Sequence, residues 1–217
     1  MLARIQEDPN FLTNILFTDE ASFSTAGMFN RRNKHYWSSV NPHKKQVVKV
    51  QGRSTVSVWC GMIGNKVLGP IIIDGNLNGQ TYLNMLQNEI EDLIDQQRLM
   101  NYHNIVWQQD GAPAHNTIQV TQYLNNRYDL WIGRRGPIHW PANSPDLAPP
   151  DLFLWGYLKN KIYYNRNHNV QELIARIREE VLMLNQNNSD FTYRSITHKL
   201  RSNLQKCLDN GGGWVKE

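Results

Sequence analysis

Two short apolar runs, each closed by an acidic residue, constrain the fold of this chain most strongly. Ile15-Leu16-Phe17 leads to Asp19, and Ile105-Val106-Trp107 leads to Asp110. Such runs predict buried β-strands, while a third acid, Asp151, follows two prolines where a helix is expected to begin. An acid at the end of a buried strand is costly unless something neutralises it, and a hard divalent cation held by several carboxylates does so. The three aspartates therefore predict a carboxylate metal site.

The apolar pattern along the chain predicts an α/β fold with a mixed sheet. Strands are expected at 14–23, in one or two pieces over 46–62, at 67–73, at 104–109 and, weakly, at 129–132. Helices are expected at 81–99, 116–126, 151–163, 170–184 and about 193–208. Three strands and a helix, followed by alternating strands and helices, predict one α/β domain that spans residues 1–217.

Composition excludes several classes of protein. Forty per cent hydrophobic content is too high for a disordered chain, and no stretch approaches the roughly 18 apolar residues of a membrane span. Two cysteines, Cys60 and Cys207, provide neither a disulfide framework nor zinc-ligand spacing. A soluble protein of a reducing, intracellular compartment is predicted.

Acidic residues are missing from a long basic stretch near the N-terminus. No Asp or Glu occurs between Ala21 and Ile73, where aromatic residues alternate with these basic ones: Arg31, Arg32, Lys34, Lys44, Lys45, Lys49, Arg53 and Lys66. This pattern is typical of a nucleic-acid-binding surface, although a solvated Lys-rich loop explains the charge equally well. Residues 24–46 are predicted to form a long loop, and loops of such length usually have a function.

Four motifs resemble, in order, the catalytic domain of Tc1/mariner-type transposases. They are 17–23 (FTDEASF), 33–37 (NKHYW), 108–116 (QQDGAPAHN) and 140–155 (WPANSPDLAPPDLFLW). The resemblance covers essentially the whole chain, and all four motifs in order are highly specific. It implies an RNase H-like fold, a mixed five-stranded sheet flanked by helices with a long basic loop after the first strand.

The resemblance also implies a chemistry and its residues. Asp19, Asp110 and Asp151 carry over as a catalytic DDD triad that binds two Mg²⁺ or Mn²⁺ ions for DNA strand cleavage and strand transfer. DNA and a second subunit in a homodimer are the implied partners, the nucleus is the implied location, and no membrane or small-molecule substrate is expected. Forty residues separate Asp110 from Asp151, a longer spacer than in mariner proper.

Asp146 is the rival for the third acid, since 35 residues separate it from Asp110. In similar sequences the Ser-Pro-Asp-Leu aspartate belongs to a turn and the acid five residues later is the ligand. Ser144-Pro145-Asp146 suits a turn whose carboxylate binds nearby backbone N–H groups. Asp151 is therefore preferred, although a helix-entry carboxylate is its ordinary explanation without the other motifs.

Residues beside the triad have weaker assignments. Glu20 is expected to point away from the metals, because successive strand residues face opposite sides. Asn116 either orients phosphate or water, or caps a helix. The resemblance implies that His35, Tyr36 and Trp37 form a clamp loop crossing to the partner subunit, with local pinning of the loop as the alternative. The predicted DNA-binding residues are Arg31, Arg32, Lys34, Lys44, Lys45, His115, Arg134 and Arg135.

Two further hypotheses compete with an active transposase core. The paired helix-turn-helix region of such transposases has no room before the first strand, so a catalytically silent DNA-binding or dimerisation module is the main alternative. The intact triad favours the enzyme over this alternative. An RNase H-type nuclease acting on RNA–DNA hybrids is a third reading, and the Pro-rich passage 140–150 argues against it.

Overall fold

The sheet is mixed and is built around its first strand. The computed structural model describes residues 1–26, 54–96, 104–164, 169–187 and 190–212. Within these ranges the strands are β1 (Ile15–Ser24), β2 (Thr55–Ile63), β3 (Lys66–Ile73), β4 (Val106–Gln108), β5 (Trp131–Gly133) and β6 (Ile138–His139). Their order is β3-β2-β1-β4-β5-β6. β1, β2 and β3 pair antiparallel, whereas β1, β4, β5 and β6 pair parallel.

The helices cover both faces of this sheet. They are α1 (Leu2–Glu7), α2 (Gly79–Met85), α3 (Glu91–Gln96), α4 (Ile118–Arg127), α5 (Trp155–Ile162), α6 (Val170–Asn187) and α7 (Asp190–Asp209). A π-helical turn, Leu86–Ile90, joins α2 to α3, and a second one, Pro150–Leu154, leads into α5. None of the helices in the described ranges is long and apolar enough to cross a membrane.

Side-chain alternation along β1 sends neighbouring residues into different clusters. Leu16 packs with Trp59 and Trp107 in the cluster covered by α2, α3 and α4. Ala21 and Phe23 pack in the cluster that contains side chains of α5 and α6. Because successive strand residues face opposite sides, Asp19 shares its face with Ala21 and Phe23. The helix that follows Asp151 therefore covers the face on which Asp19 lies.

The Pro-rich passage before Asp151 is anchored to the last helix. The Nδ2 of Asn203 in α7 donates a hydrogen bond to the carbonyl of Asp146 at 2.6 Å. Leu147 is buried in a cluster with Leu200 of α7. Three residues after Leu147, Pro150 begins the π-helical turn at a position where the missing N–H of proline costs nothing. These contacts fix the point at which the helix carrying Asp151 starts.

Candidate active site

Asp19, in the middle of β1, and Asp110, just after β4, lie beyond the same end of the stretch over which these two strands pair in parallel. Phe17 of β1 pairs with Gln108 of β4, and the hydroxyl of Thr18 donates to the carbonyl of Gln108 at 2.7 Å. Each aspartate follows its paired residue by two positions. Because the carboxyl ends of parallel strands meet at one edge of a sheet, this register brings two acids together that are 91 positions apart in the sequence.

Asp151 approaches these two aspartates from the helix that covers the Asp19 face of the sheet. The negative charge of Asp151 raises the pKa of Asp19, and that of Asp110 raises the pKa of Asp151. The helix is also tied directly to the strand, because Trp155 Nε1 donates a hydrogen bond to Asp19 Oδ2 at 2.7 Å. The structure thus places Asp151 close enough to Asp19 and to Asp110 for their negative charges to interact.

The pKa values of Asp19 and Asp151 are both raised, so their surroundings disfavour the ionised form of each carboxyl group. Burial, followed by the charge of Asp151, raises the pKa of Asp19 from 3.8 to about 7. Burial also raises the pKa of Asp151, against the opposing effect of Lys159. Oxygen donors whose ionised form is disfavoured by burial and by neighbouring negative charge fit a hard divalent cation. In the described ranges, no group of three or more His, Cys, Asp or Glu side chains is yet arranged to hold an ion.

Asp110 is held by donors of its own chain. Its Oδ1 accepts from the backbone N–H of Ala112 at 2.9 Å and lies 2.7 Å from Nδ1 of His115. Burial raises the pKa of Asp110, but the hydrogen bond and the charge of His115 outweigh it, and the pKa is lowered. Burial lowers the pKa of His115, yet Asp110 and Glu20 raise it to about 10. The imidazole is therefore cationic at neutral pH.

The structure corrects the predicted role of His115 in binding DNA. Its side chain is only 2% exposed, because the short 3-10 turn Pro113–Asn116 folds it under the sheet edge. The ring of Tyr82 packs on it at 4.2 Å between centroids. Its Nε2 lies 3.4 Å from Oε1 of Glu20, which faces away from Asp19 as strand alternation predicts. His115 therefore holds the Asp110 carboxylate by a hydrogen bond, and its side chain is too buried to contact a DNA phosphate.

Gln109 is a buried polar residue whose importance the sequence pattern did not reveal. Its Oε1 accepts from the hydroxyl of Tyr82 at 3.0 Å and from Nε1 of Trp107 at 3.1 Å. Its Nε2 donates to the carbonyl of His115 at 2.9 Å. One amide thus ties β4 to α2 and to the turn that carries His115. A polar residue directly after an apolar strand was the available signal.

Replacing Gln109 with Leu is expected to lower the free energy of unfolding by about 2–4 kcal/mol. The substitution leaves the Trp107 N–H buried without a partner and removes the acceptor of the Tyr82 hydroxyl, and each such loss costs about 1–3 kcal/mol. Urea denaturation measures the change. Gln108→Leu is the matched control, because Gln108 Oε1 is buried without a hydrogen bond and its removal should cost less than about 1 kcal/mol. Equal losses in both variants would contradict the prediction.

The other predicted DNA-contacting residues divide into two groups. Arg134 and Arg135 are exposed. Arg134 borders the site, because its Cδ lies 3.8 Å from the position that a Cβ on Gly111, the neighbour of Asp110, would occupy. Both remain predictions. The remaining predicted DNA-binding and clamp-loop residues lie outside the described residues: Arg31, Arg32, Lys34, His35, Tyr36, Trp37, Lys44 and Lys45.

Asp146 occupies the turn that its sequence predicts. It lies in the 3-10 turn Pro145–Leu147, whose backbone is held by Asn203. Asp151, in contrast, interacts electrostatically with both Asp19 and Asp110. This placement favours Asp151 as the third acid.

Comparison with known proteins gives matches to solved structures alone. No protein-family profile matches the sequence, and neither does any curated protein. The catalytic domain of the Mos1 mariner transposase matches with a TM-score of 0.72 at 20% identity, over 99% of this chain and 90% of that domain. A pre-cleavage Mos1 transpososome matches with a TM-score of 0.77 at 20% identity, over 99% of this chain and 60% of that one.

A third solved structure, the Mos1 mariner paired-end complex with Mn, matches with a TM-score of 0.74 at 20% identity. It covers 99% of this chain and 60% of the other. This chain therefore spans 60% of the transposase chain in those two complexes. These likenesses establish a shared fold and confirm the predicted RNase H-like class. The sheet has six strands in the described ranges where five were predicted.

Proposed function

We propose that this chain is the catalytic core of a DNA transposase that cleaves DNA strands and transfers them to new positions. The observation that carries the proposal is geometric: the β1–β4 register brings Asp19 and Asp110 together, and the Trp155–Asp19 hydrogen bond ties the helix that follows Asp151 to them. The shared fold with the Mos1 catalytic domain supports it. The further parts of the proposal are two Mg²⁺ or Mn²⁺ ions, a DNA substrate, a homodimer and a nuclear location. The Mn in a paired-end complex of Mos1 supports the choice of metal.

The three aspartates are the proposed metal ligands. When bound, paired divalent cations activate the attacking oxygen and stabilise the leaving oxygen of a phosphodiester. Asp19 and Asp151 supply oxygens whose pKa values are raised by burial and by the neighbouring acids, so a bound cation would favour their ionised form. On Asp110, two protein donors hold Oδ1, which leaves Oδ2 as the ligand. Cationic His115 keeps this carboxylate ionised and in place.

Basic side chains at the border of the site are suited to hold the DNA backbone. Arg134 lies beside Gly111, and Lys159 is close enough to Asp151 to lower its pKa. Arginine and lysine bind phosphates without reading sequence, so DNA binding by this chain should be salt-dependent and weakly sequence-selective.

Nicking of supercoiled plasmid DNA tests the proposed function. The chain is expected to convert supercoiled plasmid to open circles with Mn²⁺ and to stop when the metal is chelated. The Asp110→Asn protein, folded by circular dichroism, is the control and should be inactive. Equal nicking by both proteins would contradict the proposal. If neither protein cleaves DNA that both bind, the chain is a silent DNA-binding module instead.

A further inference from the structure

An indole N–H reaches the carboxylate of Asp19 from the helix that follows Asp151. Trp155 Nε1 donates to Asp19 Oδ2 at 2.7 Å, across 136 positions of sequence. Such a short bond from a neutral donor to an ionisable oxygen is of the charge-assisted kind, which is stronger than a bond between neutral groups. The contact joins two of the three proposed ligand-bearing elements, β1 and the helix that begins at Pro150.

Packing fixes the indole in place. Trp155 is 4% exposed and belongs to the cluster that contains Leu154 and Leu158. The ring of Phe23, on the same face of β1 as Asp19, meets it edge to face with 6.3 Å between centroids. Because a packed indole has no second rotamer to adopt without disturbing its neighbours, its N–H presents one direction to Asp19. The donor is therefore preorganised.

We propose that Trp155 is a positioning residue for metal binding: its N–H holds Oδ2 of Asp19, so that the carboxylate keeps one orientation and offers Oδ1 to a cation. This inference rests on the proposed function, because it assigns the partner of the same site. Groups that orient a metal ligand from behind change metal affinity by about 10- to 100-fold when they are removed. Losing the indole N–H should weaken metal binding by an amount in this range.

The chain offers a matched control for this substitution. Trp131 is 1% exposed, and its Nε1 donates to Oδ1 of Asn125 at 2.9 Å. Trp131→Phe therefore removes a buried indole and its hydrogen bond, as Trp155→Phe does, but leaves Asp19 untouched. A purely structural role for Trp155 predicts that the two variants behave alike.

Binding of Mn²⁺, followed through the electron paramagnetic resonance signal of the free ion, decides between these roles. Trp155→Phe is expected to raise the dissociation constant about 10- to 100-fold, whereas Trp131→Phe should stay within about twofold of the parent. If Trp155→Phe fails to fold, Trp155→Met replaces it, since its flexible apolar side chain fills part of the space and carries no hydrogen-bond donor. Unchanged affinity in the Trp155 variant, or an equal loss in both variants, would overturn the inference.

A second readout uses the parent protein alone. During titration with diamagnetic Mg²⁺, the indole ¹⁵N–¹H resonance of Trp155 should shift with the metal, while that of Trp131 should stay in place. An indole resonance of Trp155 that does not shift when Mg²⁺ binds would also overturn the inference. If the parent binds neither Mg²⁺ nor Mn²⁺, the proposed metal centre itself fails, and that result is distinct from a failure confined to Trp155.

Discussion

Replacing Asp151 with Asn is expected to lower Mn²⁺-dependent nicking of plasmid DNA by about a thousandfold or more. The substitution removes a charged oxygen ligand, and stabilisation of transition-state charge by a bound metal is worth several kcal/mol, with each 1.36 kcal/mol giving about tenfold in rate. Single-turnover nicking rates measure the effect. The fold should survive, because Asn has the same size and shape as Asp and Asp151 belongs to none of the three hydrophobic clusters.

Asp146→Asn is the matched control for this experiment. It changes the same residue type in the same Pro-rich passage, five positions earlier, within a turn held by its backbone carbonyl and Asn203. Its nicking rate should remain within about threefold of the parent, because a substitution outside the site leaves the stabilised charge unchanged. The reverse outcome, with Asp146→Asn inactive and Asp151→Asn active, would make Asp146 the third acid.

Without metal, the stability of the protein is expected to fall as the pH rises from about 5 to 8, and Asp19 should account for part of the fall. Its pKa in the folded protein is about 7, above the model-peptide value of 3.8. The folded state therefore favours the protonated acid. This contribution is fully present below the unfolded pKa and is lost as the pH rises through the folded pKa.

Asp19→Asn removes this dependence and measures it. A shift of this size corresponds to about 4 kcal/mol at most, and partial solvent exposure reduces the expected effect to about 2 kcal/mol in the unfolding free energy. Urea denaturation of both proteins in chelator, at several pH values, gives the difference. The unfolding free energy of the Asp19→Asn protein should increase relative to that of the parent as the pH rises. A constant difference between the two proteins across this range would show that Asp19 titrates normally.

The strands that carry the site could be predicted because short-range sequence patterns, apolar runs and turn residues, mark them. β4 and the first residues of β1 are short apolar runs followed by polar residues, and β3 follows a Gly64-Asn65 turn that the structure confirms. In contrast, β6 is two residues long, too short to show alternation. The helix α1 was also missed, since six residues provide few turns from which to recognise a period.

The supporting residues of the site could not be predicted, because their roles depend on distant contacts. The hydrogen bond from Trp155 to Asp19 spans 136 positions, so no local pattern marks that tryptophan among the seven in the chain. Gln109 looked like part of a motif, yet its partners include Tyr82, 27 positions away. The position of His115 at a helix start beside Asp110 predicts a DNA contact, whereas the fold buries its side chain.

Anomalous diffraction from crystals grown with Mn²⁺ tests the central claim most directly. The account predicts manganese peaks just beyond the paired stretch of β1 and β4, with oxygens of Asp19, Asp110 and Asp151 all among the ligands at about 2.0–2.3 Å. Manganese bound elsewhere on the protein, or a site that Asp151 does not reach, would contradict it.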